Sequence, residues 1–112
     1  MIESYSFGKI RVEGREYNKD LVIFPDRIKS NWRRESGHVL KLGDIEGILE
    51  YRPEVLVIGT GAMGLMKVGK EVKDKLDSMG MEYIIAKTAD AVGEYNKVSK
   101  DKKAVFAAHL TC

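Results

Sequence analysis

The first residues whose types and spacing suit chemistry are Gly59-Thr60-Gly61-Ala62-Met63-Gly64, a G-x-G-x-x-G string. It follows the apolar run Val55-Leu56-Val57-Ile58 and leads toward a helical pattern. In that context glycine backbone can approach a pyrophosphate held at a helix N-terminus. Three features oppose a dinucleotide. The helical periodicity resumes only near Val68, so no helix begins within the motif. The next strand pattern ends Ala86-Lys87-Thr88, without the acid that would hold a ribose, and 112 residues are few for a complete dinucleotide domain. The expectation is no cofactor, and glycines that give a buried strand a tight exit. Ligands of open α/β sheets still bind beyond the carboxyl ends of parallel strands. Two such ends are expected here, at Gly59-Thr60-Gly61 and at Lys87-Thr88-Ala89. A helix opening at Thr88 offers free N–H groups that suit an anion. Gly59, Thr60, Gly61, Thr88 and Asn96 are therefore the candidate lining of a cleft for a small anionic ligand. Asn96, a weak helix former on the helix that follows, is a candidate for hydrogen bonding to a neighbouring loop.

A second group is Trp32-Arg33-Arg34 followed by Gly37-His38. Trp32 either covers an edge of the core or, with Arg33 and His38, forms a contact surface for a protein partner, since Trp and Arg are over-represented at hot spots. His109 and Cys112 would point to opposite faces of a strand and make no thiol–imidazole pair. Two histidines and one terminal cysteine give no metal spacing. No G-x-S-x-G elbow, Walker loop or spaced carboxylate pair occurs. With no catalytic set, the first expectation is a non-catalytic binding or assembly module. The alternative is a binder of a small anion, or an enzyme acting on one, at the strand-end cleft.

These residues must be positioned by elements legible in the pattern. Residues 5–12 carry apolar side chains at odd positions before Gly8 and even positions after it, which predicts a strand with a bulge or a bend at Gly8. Glu13-Gly14 predicts a turn into a short return strand, completing an N-terminal hairpin. Leu21-Val22-Ile23-Phe24 is a buried strand stopped by Pro25-Asp26. Residues 27–43 read as loop with short extended pieces at 27–30 and 39–42. Asp44 is a candidate N-cap for a helix carrying Ile45, Ile48 and Leu49, ended by Pro53. Val68, Val72, Leu76 and Met79 recur at spacings of four, four and three, one helical face, with Gly80 as a stop. Tyr83-Ile84-Ile85-Ala86 is a strand, Thr88 a candidate cap for the helix carrying Val92 and Tyr95, and Ala104-Val105-Phe106-Ala107-Ala108 the last strand. The second half is thus β-α-β-α-β with parallel strands. The whole predicts an α/β domain over residues 1–112, three layers around a mixed central sheet with an N-terminal hairpin extension.

Composition sets outer limits. A hydrophobic content of 44% and a charged content of 32% fit an ordinary globular domain. A formal net charge of +2 gives no basic face of the kind nucleic acid requires. No apolar run approaches the roughly 20 residues of a membrane helix. One cysteine and no basic-then-apolar leader predict a reducing, cytoplasmic setting.

An ordered set of residues runs along nearly the whole chain. It contains Gly8-x-Ile10 with Glu13-Gly14, Tyr17 and Asp20, then Trp32 and Gly37-His38, then Pro53-Glu54-Val55 leading into Ile58-Gly59-Thr60-Gly61. It closes with Thr88, Ala91, Tyr95-Asn96 and His109-Leu110-Thr111-Cys112. This set resembles the MTH-domain family, whose members include the adipogenesis-associated MTH-domain protein and a mitochondrial assembly factor of respiratory complex I. The resemblance implies a three-layer α/β fold with a mixed sheet, and no established reaction. Its mitochondrial branch works through protein partners. The targeting extension of that branch is missing here, so the chain reads as a short prokaryotic member.

Overall fold

Three apolar runs build the centre of the sheet. In the computed structural model, which describes residues 1–112, β4 (Leu21–Phe24), β7 (Val55–Thr60) and β10 (Ala104–His109) are buried at every position. Strands covered on both faces lose the polar–apolar alternation of a half-exposed strand, which is why they read as continuous apolar runs. The remaining elements are β1 (Ile2–Ser6), β2 (Lys9–Val12), β3 (Arg15–Tyr17), β5 (Arg27–Ser30), β6 (Val39–Leu40), α1 (Glu46–Tyr51), β8 (Lys67–Val68), α2 (Lys70–Ser78), β9 (Glu82–Ala86) and α3 (Thr88–Val98). The main sheet has the order β5-β4-β10-β7-β9. β10, β7 and β9 run parallel, while β4 and β5 are antiparallel to their neighbours, so the sheet is mixed.

Alternate residues feed two cores. Val22, Phe24, Leu56, Ile58, Val105 and Ala107 face one layer, where Trp32, Ile48 of α1, and Val72 and Leu76 of α2 pack. Leu21, Ile23, Val55, Val57, Ala104, Phe106 and Ala108 face the other, closed by Ala91 and Tyr95 of α3 and by Ile2, Ile10 and Val12 of the N-terminal strands. The three layers are those the sequence predicts.

Several local expectations change. The phase shift at Gly8 is a full hairpin turn (Gly8 φ 75°) rather than a bulge or a bend within one strand; β1 and β2 are separate antiparallel strands, and the register irregularity sits between Ile2 and Ser4. Glu13 and Gly14 do form the next turn, both at positive φ (49° and 79°), as a primed hairpin turn requires. The predicted N-terminal hairpin is present as β2-β3, and β1 extends it to a three-stranded sheet, β1-β2-β3. Asp44 is not the N-cap of α1. It lies inside a 3-10 turn, Leu42–Ile45, where its carboxylate accepts the N–H groups of Lys41 (2.8 Å) and Glu35 (3.0 Å). Val68 belongs to β8 rather than to α2, whose buried face is Val72 and Leu76. That helix ends with Gly80 N–H donating to Asp77 O and Met81 N–H to Leu76 O, the paired bonds of a Schellman stop. Thr88 is the first helical residue of α3 and makes no cap bond; Lys87 occupies the cap position.

Candidate functional site

Gly59, Thr60, Gly61 and Thr88 come together where β7, β9 and β10 end. Thr88 is wholly buried, and its Oγ1 donates to His109 O (2.6 Å) while accepting the Gly61 N–H (2.9 Å). Thr60 Oγ1 donates to Ala86 O at 3.1 Å. A Cβ on Gly61 (φ 108°) would stand 2.4 Å from the carbonyl carbon of Cys112. The residues after β10 lie against this loop: Ala62 N–H donates to Thr111 O (2.8 Å), and Met63 and Leu65 N–H donate to Cys112 O (3.2 and 3.1 Å). The amides that a pyrophosphate would use are thus taken by the chain's own carbonyls. Asn96 lies apart from this junction. It clamps β1 to α3, with Oδ1 accepting the Ile2 N–H (2.9 Å) and Nδ2 donating to Ile2 O (2.8 Å).

The Trp32 segment divides by exposure. Trp32 is a core residue, 4% exposed, with its indole N–H donating to Asp44 O at 3.1 Å. Arg33 and His38 are exposed. Arg34 turns inward instead; its side chain is 4% exposed and its guanidinium stacks over the Trp32 ring, 4.9 Å from the centroid.

Arg34 meets two residues brought from distant segments. Asp20 Oδ2 accepts from Arg34 Nη2 (2.8 Å) and from His109 Nδ1 (2.8 Å), while Oδ1 accepts the Leu110 N–H (2.8 Å). The topology explains the meeting. Asp20 immediately precedes β4, His109 ends β10 beside Thr60 in register, and Trp32 N–H donates to Asp20 O at 2.7 Å. The cluster therefore sits at the carboxyl ends of β7 and β10, where open α/β sheets bind ligands. Burial pushes the Asp20 carboxyl up, but the hydrogen bonds from His109, the Leu110 amide and Arg34 outweigh it and hold the group below its ordinary value. Asp20 is then ionised and can only accept, so Nδ1 of His109 carries the proton. A protonated Nδ1 cannot accept from Arg34, and the 3.1 Å approach of Nη2 to Nδ1 follows from their shared oxygen.

Three nitrogens of this cluster are buried without a partner: Arg34 Nε, Arg34 Nη1 and His109 Nε2. The exposed His38 ring stands edge-on to His109, with centroids 6.3 Å apart. Of the residues singled out in the sequence, the structure joins His38 to this cluster, keeps Thr88 beside it through His109 O, and leaves Arg33 on the surface. The sequence pattern marks neither Asp20 nor His109 as a site residue. One signal was present: a charged residue opening one apolar strand and a titratable residue closing another, on the edge where ligands of such sheets lie.

The family described as a protein of unknown function, DUF498/DUF598, matches residues 2–110. The chain belongs to the DUF498/DUF598 family. It is similar to the conserved hypothetical protein PH1505 of Pyrococcus horikoshii OT3, at 27% identity and a TM-score of 0.85, covering 100% of this chain and 99% of that one. It is also similar to a protein named MT938, at 26% identity and a TM-score of 0.84, covering 100% and 98%. A Bordetella pertussis protein described as a Mth938-like domain shares the fold at 20% identity and a TM-score of 0.68, covering 98% of this chain and 85% of that one. The MTH-domain resemblance of the sequence is borne out by these names, and the family's function is undetermined.

For this DUF498/DUF598 chain, the Asp20–His109 pair has the orientation in which a carboxylate fixes an imidazole tautomer, leaving Nε2 as the free nitrogen. No hydroxyl or thiol stands within hydrogen-bond reach of Nε2, so the pair activates no nucleophile in this geometry. No group of three or more His, Cys, Asp or Glu side chains is placed to hold a metal. What the cluster does present is donors: two guanidinium nitrogens, and a third nitrogen that donates when the imidazole is protonated. No helix is long and apolar enough to cross a membrane.

Proposed function

We propose that this chain is a non-catalytic binding module that takes one anionic oxygen group, a carboxylate or a phosphate, at Arg34 and His109. The observation that carries this is the set of three buried, unpartnered nitrogens in one cluster. An unsatisfied buried polar group costs about 1–3 kcal/mol, and more when charged. An anion's oxygens would accept from the two guanidinium nitrogens, and from Nε2 when the imidazole is protonated, and guanidinium is the side chain best matched to them. Asp20 is already committed to three donors, which leaves room for a second anion only beside Nε, Nη1 and Nε2. Entry involves displacement of the exposed His38, whose ring stands edge-on to His109. The anionic group is either free or carried by an acidic segment of a protein partner, and a cytoplasmic setting belongs to the same reading.

A thermal-shift titration separates these sources. Inorganic phosphate, citrate and a short Asp/Glu-rich peptide are each added to wild type and to Arg34→Met. A ligand at 100 times its dissociation constant adds about 2.7 kcal/mol of stability. Stabilisation by the ions alone identifies a free oxyanion, and stabilisation by the peptide alone identifies a partner's carboxylate. Flat responses to all three, or responses unchanged in Arg34→Met, overturn the proposal.

A further inference from the structure

The sheet face beneath α1 is left open toward its β5 edge. α1 is six residues long and packs on the first core through Ile48. Val22 and Phe24 of β4 point into that layer, and their register partners on β5 are Lys29 and Arg27. Opposite residues of an antiparallel pair share a face, so both cations rise beside the apolar floor, and both are exposed. Between β5 and α1 lies a cavity of about 360 Å³. That is the small end of ligand pockets, which run from about 300 to 1,000 Å³. Val22, Phe24, Trp32 and Ile48 form its floor, each at most 5% exposed, and Arg27 and Lys29 stand at its rim.

Charge and size select the occupant. Lys29 forms no ion pair, and Arg27 pairs only with the exposed Asp26, at 3.1 Å. The Arg27 guanidinium lies over the Phe24 ring, 4.1 Å from its centroid, which holds the charge at the cavity. Asp44 is the one acid in the lining, and its two carboxylate oxygens already accept the Glu35 and Lys41 amides. The Trp32 indole N–H is committed to Asp44 O. The floor thus offers apolar surface, and the rim offers positive charge. We infer that this cavity is a second ligand site, for a small monocarboxylate with an apolar body. The body lies against Trp32 and Phe24, and the carboxylate meets Lys29 and Arg27. At about 30 Å³ for each water-sized atom, the cavity holds roughly a dozen, the size of a medium-chain fatty acid. A cationic ligand would be repelled at the rim, and a small inorganic anion would leave the floor unfilled. The site is separate from the Arg34–His109 cluster, none of whose residues lines it.

Trp32 is the single tryptophan of the chain, so its fluorescence reports occupancy of the floor. Octanoate, its neutral counterpart octan-1-ol, and acetate are titrated separately up to low millimolar concentrations. Octanoate is expected to change the emission saturably, and octan-1-ol to bind about tenfold more weakly. Lys29→Glu replaces an attraction at the rim by a repulsion, and should raise the octanoate dissociation constant roughly tenfold while leaving that of octan-1-ol unchanged. Lys29 is exposed and unpaired, and circular dichroism checks that the variant is folded. Acetate carries the head without the body and should leave the emission unchanged. Arg34 stacks on the other side of this account, over the same indole ring, so an acetate response equal to that of octanoate would assign the change to the Arg34–His109 cluster and overturn the inference. No saturable response to octanoate, equal binding of octanoate and octan-1-ol, or octanoate binding indifferent to Lys29→Glu would overturn it as well.

Discussion

Asp20 Oδ2 lies 2.8 Å from His109 Nδ1 and 2.8 Å from Arg34 Nη2, so one carboxylate oxygen fixes both an imidazole and a guanidinium. This shared oxygen makes the cluster a unit. It sets the imidazole tautomer, pairs the buried positive charge and, through its other oxygen on the Leu110 amide, ties the end of β10 to the start of β4.

Acid should weaken the protein through this carboxyl. Burial raises the Asp20 value, and the His109, Leu110 and Arg34 hydrogen bonds lower it by more, to below its ordinary position. A carboxyl depressed by folding contributes stability that is fully present above its unfolded value of about 3.9 and is lost as pH falls through its folded value. Urea midpoints measured from pH 7 downward should therefore drop below about pH 4. Asp20→Asn should flatten that acid limb. At neutral pH it should cost about 3–5 kcal/mol, because Arg34 keeps a buried charge without its counter-ion. An unchanged acid limb in the variant would contradict the assignment.

Thr88→Val keeps the shape of the side chain and removes the hydroxyl that links Gly61 N–H to His109 O. The expected loss is about 1–3 kcal/mol, since both buried partners are left unsatisfied. Thr88→Ser should retain most of the stability in the same denaturation experiment.

The contrast between Asp20 and Thr88 shows how far the sequence could be read. The central strands, their burial and the β-α-β order were legible because apolar runs and helical spacing are local properties. The Glu13-Gly14 turn was legible from its residue types. The Phe7-Gly8 turn was not, because one glycine with a phase change looks the same as a bulge. Thr88 was read as a helix cap from its place in the chain, but its hydroxyl goes to a carbonyl 21 residues away. Trp32 left two readings open, and packing decided for the core. Asp20 and His109 are separated by 89 positions and Arg34 and His109 by 75, so nothing local in the sequence joined them.

The same substitution at two glycines should have opposite signs. Gly61→Ala places a Cβ 2.4 Å from the Cys112 carbonyl carbon at a φ of 108°. Strain alone costs about 1–3 kcal/mol and the collision adds to it. Gly93 lies within α3 with nothing inside 4 Å of an added Cβ, so Gly93→Ala should stabilise by about 0.5–1 kcal/mol. Melting curves of the two variants should bracket wild type.

Asn96→Ala removes both bonds to Ile2. The expected cost is about 1–3 kcal/mol for two hydrogen bonds. It should appear locally: amide exchange should accelerate in β1, while β7 and β10 keep their protection.

The anion site is tested most directly by following the Arg34 Nε–H and His109 imidazole resonances while inorganic phosphate and an acidic peptide are titrated in separate NMR series. The account predicts saturable shifts of both resonances with at least one ligand, lost when Arg34→Met is followed through His109. Resonances that stay fixed through tens of millimolar of either ligand, or a His109 response that persists in Arg34→Met, would contradict it.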